Sequence, residues 1–374
     1  MENSVVVTFH SGLSLLRLCL ESLLRTTGPE TEIVVVMNNA DEREVSAPLD
    51  YERVRSLRIK ANLGYAAAAN AGARAATGRF VIFSDHDLVF EDGWIQAVRS
   101  LHRRSPQIGA VSARVANPHT FRVLDFGIGF TPLNSPHPHM DQRLDSPLVR
   151  QSRRVQAMCC GGLTMERTLF EEIGGFDENL GNFYTDIDLC LRLKERGYEC
   201  WCAAEALCYH FGGDFSFIDR PYKMSAIKAD VKGLFRAKNA ARLEVDMGRY
   251  YRESWAQITS SSRSKCDETY VACSLMNVGD PQWYFDALRE HVRLSDTAVL
   301  PTGNRDAGME ALYETLGYDF LKLRAPIAYF VDRFVSLRDN QLWWQQRADR
   351  RDLVVDRNGN IVRARDLQPT GTED

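Results

Sequence analysis

No apolar stretch in this 374-residue chain approaches the ~20 residues that a membrane-spanning helix needs. Nor is there an excess of positive charge. Forty-six Lys and Arg stand against 50 Asp and Glu, a formal net charge of −4. That balance gives no broad basic field, so nucleic acid is not an expected partner. The opening Met1-Glu2-Asn3-Ser4 runs directly into a strand pattern with no charged leader. The expectation is a cytoplasmic protein whose membrane contact is at most peripheral, at the inner membrane face. Paired zinc-ligand spacing is missing as well. The nine Cys sit in apolar segments (Cys19, Cys190, Cys273) or cluster at Cys159-Cys160 and at Cys200, Cys202 and Cys208. An odd number in a chain of this size points to buried reduced thiols rather than a disulfide scaffold. Internal repeats and low-complexity tracts are also missing.

What is present is an ordinary globular composition, 44% hydrophobic and 26% charged, with length for two or three domains. Val5-Val6-Val7-Thr8-Phe9 reads as a buried strand. An amphipathic helix follows, with Leu16, Cys19, Leu20, Leu23 and Leu24 on one stripe. Glu32 to Val36 is a second buried strand and Arg55 to Ile59 a weaker third. After Asn62-Leu63-Gly64-Tyr65 an Ala-rich helix, small enough to lie close on a sheet, runs to Thr77-Gly78. Strand–helix–strand alternation at these lengths predicts an α/β fold with a mostly parallel sheet and helices on both faces. Further on, Trp94 to Arg103, Arg167 to Ile173 and Asp186 to Arg196 read as helices, and Ile108 to Val115 as a strand. A Pro-rich stretch, 117–150, breaks the pattern with a hairpin through Phe121 to Phe130. It also carries His137 and His139, which read as exposed loop histidines. Two short strands are expected at Glu199 to Ala203 and Ala206 to Tyr209.

The chemistry concentrates at Phe80-Val81-Ile82-Phe83-Ser84-Asp85-His86-Asp87. An apolar strand stops at two carboxylates separated by one residue, and side chains of period two point the same way. Ligands of open α/β sheets bind beyond the carboxyl ends of strands. Two hard oxygen ligands on a short loop suit Mg²⁺ or Mn²⁺ with phosphate oxygens completing the shell. A plain surface turn is the competing reading of the same residues.

Seven features in order narrow the choice. Val-Val-Val-Thr-Phe-His (5–10) opens the first strand, and Asn-Asn-Ala-Asp (38–41) follows the second. Asn-Leu-Gly-Tyr-Ala-Ala-Ala-Ala-Asn-Ala-Gly (62–72) precedes Ser-Asp-His-Asp (84–87). Gly-Gly-Phe-Asp-Glu (174–178), Phe-Tyr-Thr-Asp-Ile-Asp-Leu-Cys-Leu-Arg (183–192) and His-Phe-Gly-Gly (210–213) complete the series. Over residues 4 to 216 this resembles the family 2 inverting nucleotide-sugar glycosyltransferases of GT-A fold, and most of all a rhamnosyltransferase-like branch that builds surface polysaccharide.

The resemblance implies roles residue by residue. Asp87 and His210 would hold Mn²⁺ or Mg²⁺ against the donor diphosphate, with Asp85 at the ribose or in the metal's water shell. Thr8, Asn38, Asn39, Asn62, Gly64, Asn70 and Gly162 would line the donor pocket, and Asp177 would lie on the acceptor side. Asp186 would be the general base. Two departures stand out: Thr185 where the family usually has Glu, and Asn38 where it often has Asp. An amide both donates and accepts, so the base preference among UDP, dTDP and GDP stays open.

The expected organisation is a GT-A domain over 1–220, a helical segment over 221–264 and a mixed C-terminal region over 265–374. That last region reads as helices near Trp283–Val292, 307–316 and 339–347, and a type I′ hairpin at Asn358-Gly359. Trp343-Trp344, Trp283 and Tyr284 fit a sugar platform, an interface or plain core packing. The expected activity moves a sugar from a nucleoside-diphosphate sugar to a glycan, lipid-linked or protein acceptor, and the pattern allows an oligomer. Two rivals remain: a non-catalytic sugar-nucleotide-binding scaffold, favoured by the missing Glu, and a sugar nucleotidyltransferase. The latter needs a basic Gly-rich loop that Thr8-Phe9-His10-Ser11-Gly12 does not supply.

Overall fold

The computed structural model describes residues 1–40, 51–132, 134–212, 221–261, 269–274, 281–294, 325–331 and 351–367. The chain divides into two compact units, residues 1–129 with 142–244, and residues 130–141 with 245–374.

In the first unit, β1 (Asn3–Phe9), α1 (Leu13–Thr26), β2 (Thr31–Asn38), β3 (Val54–Ile59), α2 (Gly64–Ala75) and β4 (Phe80–Asp85) form the alternation that the apolar runs predict. Next come β5 (Leu88–Phe90), α3 (Trp94–His102), β6 (Ile108–Ala116), β7 (Val123–Asp125), β8 (Arg153–Val155) and β9 (Leu163–Glu166). The unit ends with α4 (Arg167–Glu172), α5 (Thr185–Glu195), β10 (Glu199–His210) and α6 (Pro221–Asn239). The sheet has the order β3-β2-β1-β4-β9-β6-β10-β5, with β7 on β6 and β8 on β10. Strands β1, β2, β3, β4, β6 and β10 share one direction, and the four short strands run against them.

Packing follows from composition. The stripe Leu16, Cys19, Leu20 and Leu23 of α1 is fully buried against Val5, Val7, Ile33 and Val35. On α2, Ala66 to Ala69 and Ala73 are buried. A Cβ at Gly72 would stand 2.3 Å from Val6 Cγ1 and 2.8 Å from Val36 Cγ2, so only glycine lets this helix settle onto β1 and β2. Apart from Cys159, the described cysteines are buried.

Several elements differ from expectation. Glu199 to His210 is one strand, with a register shift between Ala203 and Leu207 in place of a break. The hairpin pairs β6 with β7 across residues 117–122 rather than running through Phe121 to Phe130. Strand β9, inserted antiparallel between β4 and β6, is not among the expected strands, because its alternation Leu163-Thr164-Met165-Glu166 spans only four residues. Leu163, Thr164 and Met165 are nevertheless buried, the polar Thr164 among them. His139 is fully buried, not an exposed loop residue: Nε2 lies 3.3 Å from Glu253 Oε2 and its backbone N donates to Asn358 O.

The second unit contains α7 (Met247–Ser261), β11 (Thr269–Ser274), α8 (Pro281–Arg289), β12 (Arg293–Leu294), β13 (Ile327–Val331), β14 (Leu353–Asp356) and β15 (Ile361–Arg363). A sheet in the order β12-β11-β13-β14-β15 covers a core of Tyr251, Tyr270, Tyr284, Phe285 and Phe330. Tyr284 is thus a core residue. The hairpin β14–β15 is present, but only Gly359 of its turn has positive φ (80°). Asp356 N donates to Asn360 O and Gly359 N to Asp356 O, a three-residue loop with glycine in the left-handed position instead of a type I′ turn. The helices expected at 307–316 and 339–347, with Trp343 and Trp344, lie outside the described residues, as do residues 262–265.

At the amino end of the parallel strands one carboxylate ties four elements together. Glu32 Oε1 accepts from Ser4 Oγ (2.6 Å), Thr77 N (2.7 Å) and Thr77 Oγ1 (2.6 Å), and Oε2 from Arg55 Nε (2.9 Å). Partial burial pushes the carboxyl up, but these donors outweigh it and bring it down to about 2. A depressed folded value means stability present at neutral pH and lost as the pH falls from about 4.5 toward 2. Glu32→Gln is expected to cost about 3 kcal/mol at pH 7 and to flatten that acid limb. Chemical denaturation at pH 7 and pH 3 measures both.

Candidate functional site

The carboxyl ends of β1, β4 and β10 converge on one turn. Parallel pairing sets Thr8 opposite Asp85, and Thr8 Oγ1 lies 3.5 Å from Asp85 Oδ1. Antiparallel pairing of β5 with β10 sets His210 opposite Leu88. Phe211 N donates to Asp87 O at 2.9 Å, which fixes the turn to the end of β10. As a result one ligand atom from each of Asp85, Asp87 and His210 lies within 4.8 Å of the others. His210 Nε2 is 3.3 Å from Asp87 Oδ2.

The electrostatics divide the two carboxylates. Burial and the neighbouring Asp87 charge push Asp85 up. Burial also works on Asp87, but the hydrogen bond and charge of His210 outweigh it and hold Asp87 low. His210 is lowered by burial and raised, in net, by Asp87 and Asp85. Asp87 Oδ1 is buried with no hydrogen-bond partner. A Cβ at Gly212 would fall 1.9 Å from Asp87 Oδ2 and 2.9 Å from His210 Nε2. The cluster therefore requires glycine at this position.

Beside this turn lies an amide network. Asn38 Nδ2 donates to Asn62 Oδ1 (3.1 Å) and Gly64 O (3.2 Å), and Asn38 Oδ1 accepts from Leu63 N (3.1 Å). Asn39 adopts φ 54° and Gly64 φ 80°. The first turn of α2 is closed by Asn62 Oδ1 on Gly64 N, Asn182 Oδ1 on Tyr65 N and Gly181 O on Ala66 N. Asn70 faces elsewhere: it receives Phe176 N and donates to Phe176 O and Glu178 Oε1, each at 2.9 Å. It binds α2 to the Gly174–Glu178 loop. Gly162, at φ 67°, would bring a Cβ to 3.1 Å from Phe90 Cε1.

Asp186 stands in the first turn of α5, where Tyr184 precedes the helix at φ 60°. Its Oδ1 accepts from Ile187 N at 2.8 Å, and its charge is felt at Asp85, Tyr65 and Cys160. Asp188 plays a different part. Fully buried, it meets Arg192 Nε (2.7 Å), Lys238 Nζ (2.8 Å) and Asn239 Nδ2 (3.0 Å). Lys238 also reaches Asp177 Oδ2 at 2.6 Å, and Arg192 donates to Ile173 O and Gly175 O. The ring of Phe235 stacks on Tyr184 at 4.8 Å. Thus α6 packs on the segment that carries Asp177 and Asp186. Lys238, Asn239, Asn182, Tyr65 and Gly212 were not singled out from the sequence. A close pairing of acids at 177 and 188 with a later basic helix was the available signal for Lys238.

The model of Glycosyl transferase family 2 matches residues 4–173. Over those residues the chain is similar to that family. The matched span holds the carboxylate turn, and α5, β10 and α6 continue the same sheet and helices beyond it. O-antigen biosynthesis protein RfbC of Myxococcus xanthus is 28% identical over 226 residues, 55% of this chain. The chain spans only 17% of that protein's length. The N-acetylglucosaminyl-diphospho-decaprenol L-rhamnosyltransferase of Mycobacterium tuberculosis is 26% identical over 219 residues, 52% of this chain and 70% of its own. Among solved structures, GalNAc-T7 with UDP, GalNAc and Mn²⁺ aligns over 56% of this chain and 44% of its own, with 18% identity and a TM-score of 0.46.

A buried carboxylate that loses one cationic partner keeps its desolvation cost. Lys238→Met is accordingly expected to destabilise the domain by about 2–4 kcal/mol. Lys194→Met, whose partner Glu244 is largely exposed, is expected to cost under about 1 kcal/mol. Thermal unfolding of both variants measures the contrast.

Proposed function

We propose that the chain is a metal-dependent inverting glycosyltransferase that moves a sugar from a nucleoside-diphosphate donor to an acceptor hydroxyl. The observation that carries this reading is the convergence of Asp85, Asp87 and His210 within 4.8 Å at the end of β4. Two carboxylates and an imidazole suit Mn²⁺ well and Mg²⁺ less well. The orphaned Asp87 Oδ1 supports the fit, because a buried carboxylate oxygen without a donor calls for a cation. Asp87 and His210 would ligate the ion, and Asp85 would face the donor ribose. A bound ion there neutralises charge gathering on the departing diphosphate.

The chain's own residues do the rest. Thr8 steadies Asp85. Asn38, Asn39, Asn62 and Gly64 shape the wall for the base, and Gly162 lets the backbone come close to the sugar. Asn70 and Asp177 hold the acceptor-side loop. Asp186 takes the proton from the acceptor oxygen as it attacks the anomeric carbon opposite the leaving group, which inverts configuration. The names of RfbC and the rhamnosyltransferase support a place in polysaccharide or glycoconjugate assembly. UDP, dTDP and GDP donors, and glycan, lipid-linked or protein acceptors, all remain within this proposal. Among the described residues no helix is long and apolar enough to cross a membrane. We place the protein in the cytoplasm, in peripheral contact with the inner membrane face through the basic residues of α6 and α7.

The test is nucleoside diphosphate release from UDP-, dTDP- and GDP-sugars, with Mn²⁺ or with chelator. Metal-dependent release from one donor is expected, reduced at least about 100-fold by Asp87→Asn. Asp186→Asn should lower transfer about 100- to 10,000-fold and leave donor binding intact. Absence of metal-dependent nucleotide binding by calorimetry would overturn the assignment.

Gly212→Ala makes a separate prediction. The added methyl displaces Asp87 and His210, so Mn²⁺ affinity should fall at least about tenfold with little change in melting temperature. Manganese titration followed by electron paramagnetic resonance reads this directly.

A further inference from the structure

The turn between β6 and β7 carries a group of rings that the proposed mechanism leaves unused. Asn117 builds this turn. Its Oδ1 accepts from His119 N (2.9 Å) and Thr120 N (3.0 Å), and its backbone O accepts from Phe121 N (3.0 Å). Asn117 N donates to Arg122 O at 2.8 Å. Phe121, near the end of the turn, adopts φ 51° and is 59% exposed. Its ring meets Tyr209 edge-on at 5.8 Å, and the exposed His119 meets Phe211 edge-on at 6.4 Å. Tyr209 and Phe211 are half-buried.

Both segments are fixed beside the carboxylate turn. Tyr209 lies between Ala116 of β6 and Val89 of β5. Phe211 N donates to Asp87 O at 2.9 Å. Cys208 belongs with Ile82 to the core that α1 and α3 cover. Strand side chains alternate, so Tyr209 and Phe211 point to the opposite side of the sheet. Phe83 packs on Phe170 and Phe176 on that side, and Asp85 follows it in the same alternation. The rings therefore lie on the Asp85 side, one hydrogen bond from the Asp87 backbone.

Stability does not explain Phe121. A bulky residue in the left-handed region is strained, and glycine would adopt the same φ freely. An exposed ring also forgoes the gain of burial. A strained residue held by a well-bonded turn at the edge of a site points to function. The chemistry of the group indicates the ligand class. Aromatic faces carry partial negative charge and attract the partly positive C–H groups on the flat side of a pyranose. The Thr120 and Tyr209 hydroxyls and the His119 imidazole stand beside the rings as partners for sugar hydroxyls. A lipid surface asks for a broad apolar face, and here one exposed ring stands among polar groups.

We propose that Phe121, with His119, Tyr209 and Phe211, forms a stacking shelf for a sugar ring of the acceptor. This rests on the transferase reading above, and it selects carbohydrate among the acceptor classes left open there.

The experiment uses the full chain with Mn²⁺ and compares wild type with Phe121→Gly and Phe121→Trp. Saturation-transfer NMR measures binding of hexasaccharides of glucose, mannose, N-acetylglucosamine and rhamnose. Calorimetry measures binding of UDP, dTDP and GDP. Expected is binding of at least one hexasaccharide, weakened about 3- to 10-fold by Phe121→Gly and restored in Phe121→Trp. Nucleotide affinity should stay within about twofold in both variants. The melting temperature of Phe121→Gly should equal or exceed that of wild type, because glycine relieves the left-handed backbone. Equal hexasaccharide binding by wild type and Phe121→Gly overturns the proposal. So does a wild type that binds nucleotide with metal but none of the hexasaccharides. A Phe121→Gly variant that melts lower and loses nucleotide affinity in parallel also overturns it, because the ring would then be structural. Binding to phosphatidylglycerol vesicles that depends on Phe121, without hexasaccharide binding, overturns it in favour of a membrane contact. A wild type that binds no nucleotide with metal overturns the transferase reading, and the acceptor role of the shelf falls with it.

Discussion

Two carboxylates on one turn, both withdrawn from water, repel each other and resist ionisation. The upper end of the sheet is arranged around that conflict. Burial and Asp87 push Asp85 toward its neutral form, while His210 holds Asp87 charged. The imidazole reaches Asp87 only because β10 runs on to residue 210 and pairs with β5 immediately after the turn. Gly212 then keeps the space clear. Removing a strand end, the histidine or the glycine would leave a buried like-charge pair without compensation.

A second charge cluster solves a different problem with the same means. Asp188 is buried in α5, and its cost is offset by Arg192, Lys238 and Asn239. Arg192 and Lys238 extend the cluster to the Gly174–Glu178 loop through backbone carbonyls and Asp177. Burial pushes Asp177 up, yet Lys238 and the Asn179 amides bring it below its usual range. The loop, α5 and α6 are thereby one electrostatic assembly. Arg192 and Lys238 become fixed struts because each holds the fully buried Asp188 and a second partner at once.

How much of this was legible in the sequence varies with range. Runs such as Val5-Val6-Val7 and Phe80-Val81-Ile82-Phe83 announce buried strands through local composition, and the Ala-rich α2 announces close packing. The carboxylate turn is legible because a strand end, two acids and a later His-x-Gly lie in a recognisable order. By contrast, β9 is four residues whose place between β4 and β6 depends on partners about 55 to 85 positions away, and no local period encodes that. His139 looks like a solvated loop residue because its burial is produced by Glu253 and Asn358, both more than 100 positions later. Asn70 has the sequence context of a pocket residue, yet both ends of its amide are taken up by the Phe176 loop and Glu178. Long-range pairing, more than misjudged propensity, accounts for these differences.

The Thr185-Asp186-Ile187-Asp188 segment shows how structure separates residues that sequence leaves equivalent. Both acids lie in a helix first turn, where the dipole favours negative charge. Two positions apart on a helix, they point roughly 200° from each other. Asp188 therefore enters the Arg192–Lys238 cluster, while the charge of Asp186 is felt at Asp85, Cys160 and Tyr65. Tyr184, held in the left-handed region and stacked on Phe235, sets the angle at which the helix begins. Thr185 in place of Glu removes one acid from the approach to this turn. Asp188 is taken up by the Arg192–Lys238 cluster, and Asp186 is therefore the acid of this segment to which we assign the proposed base role.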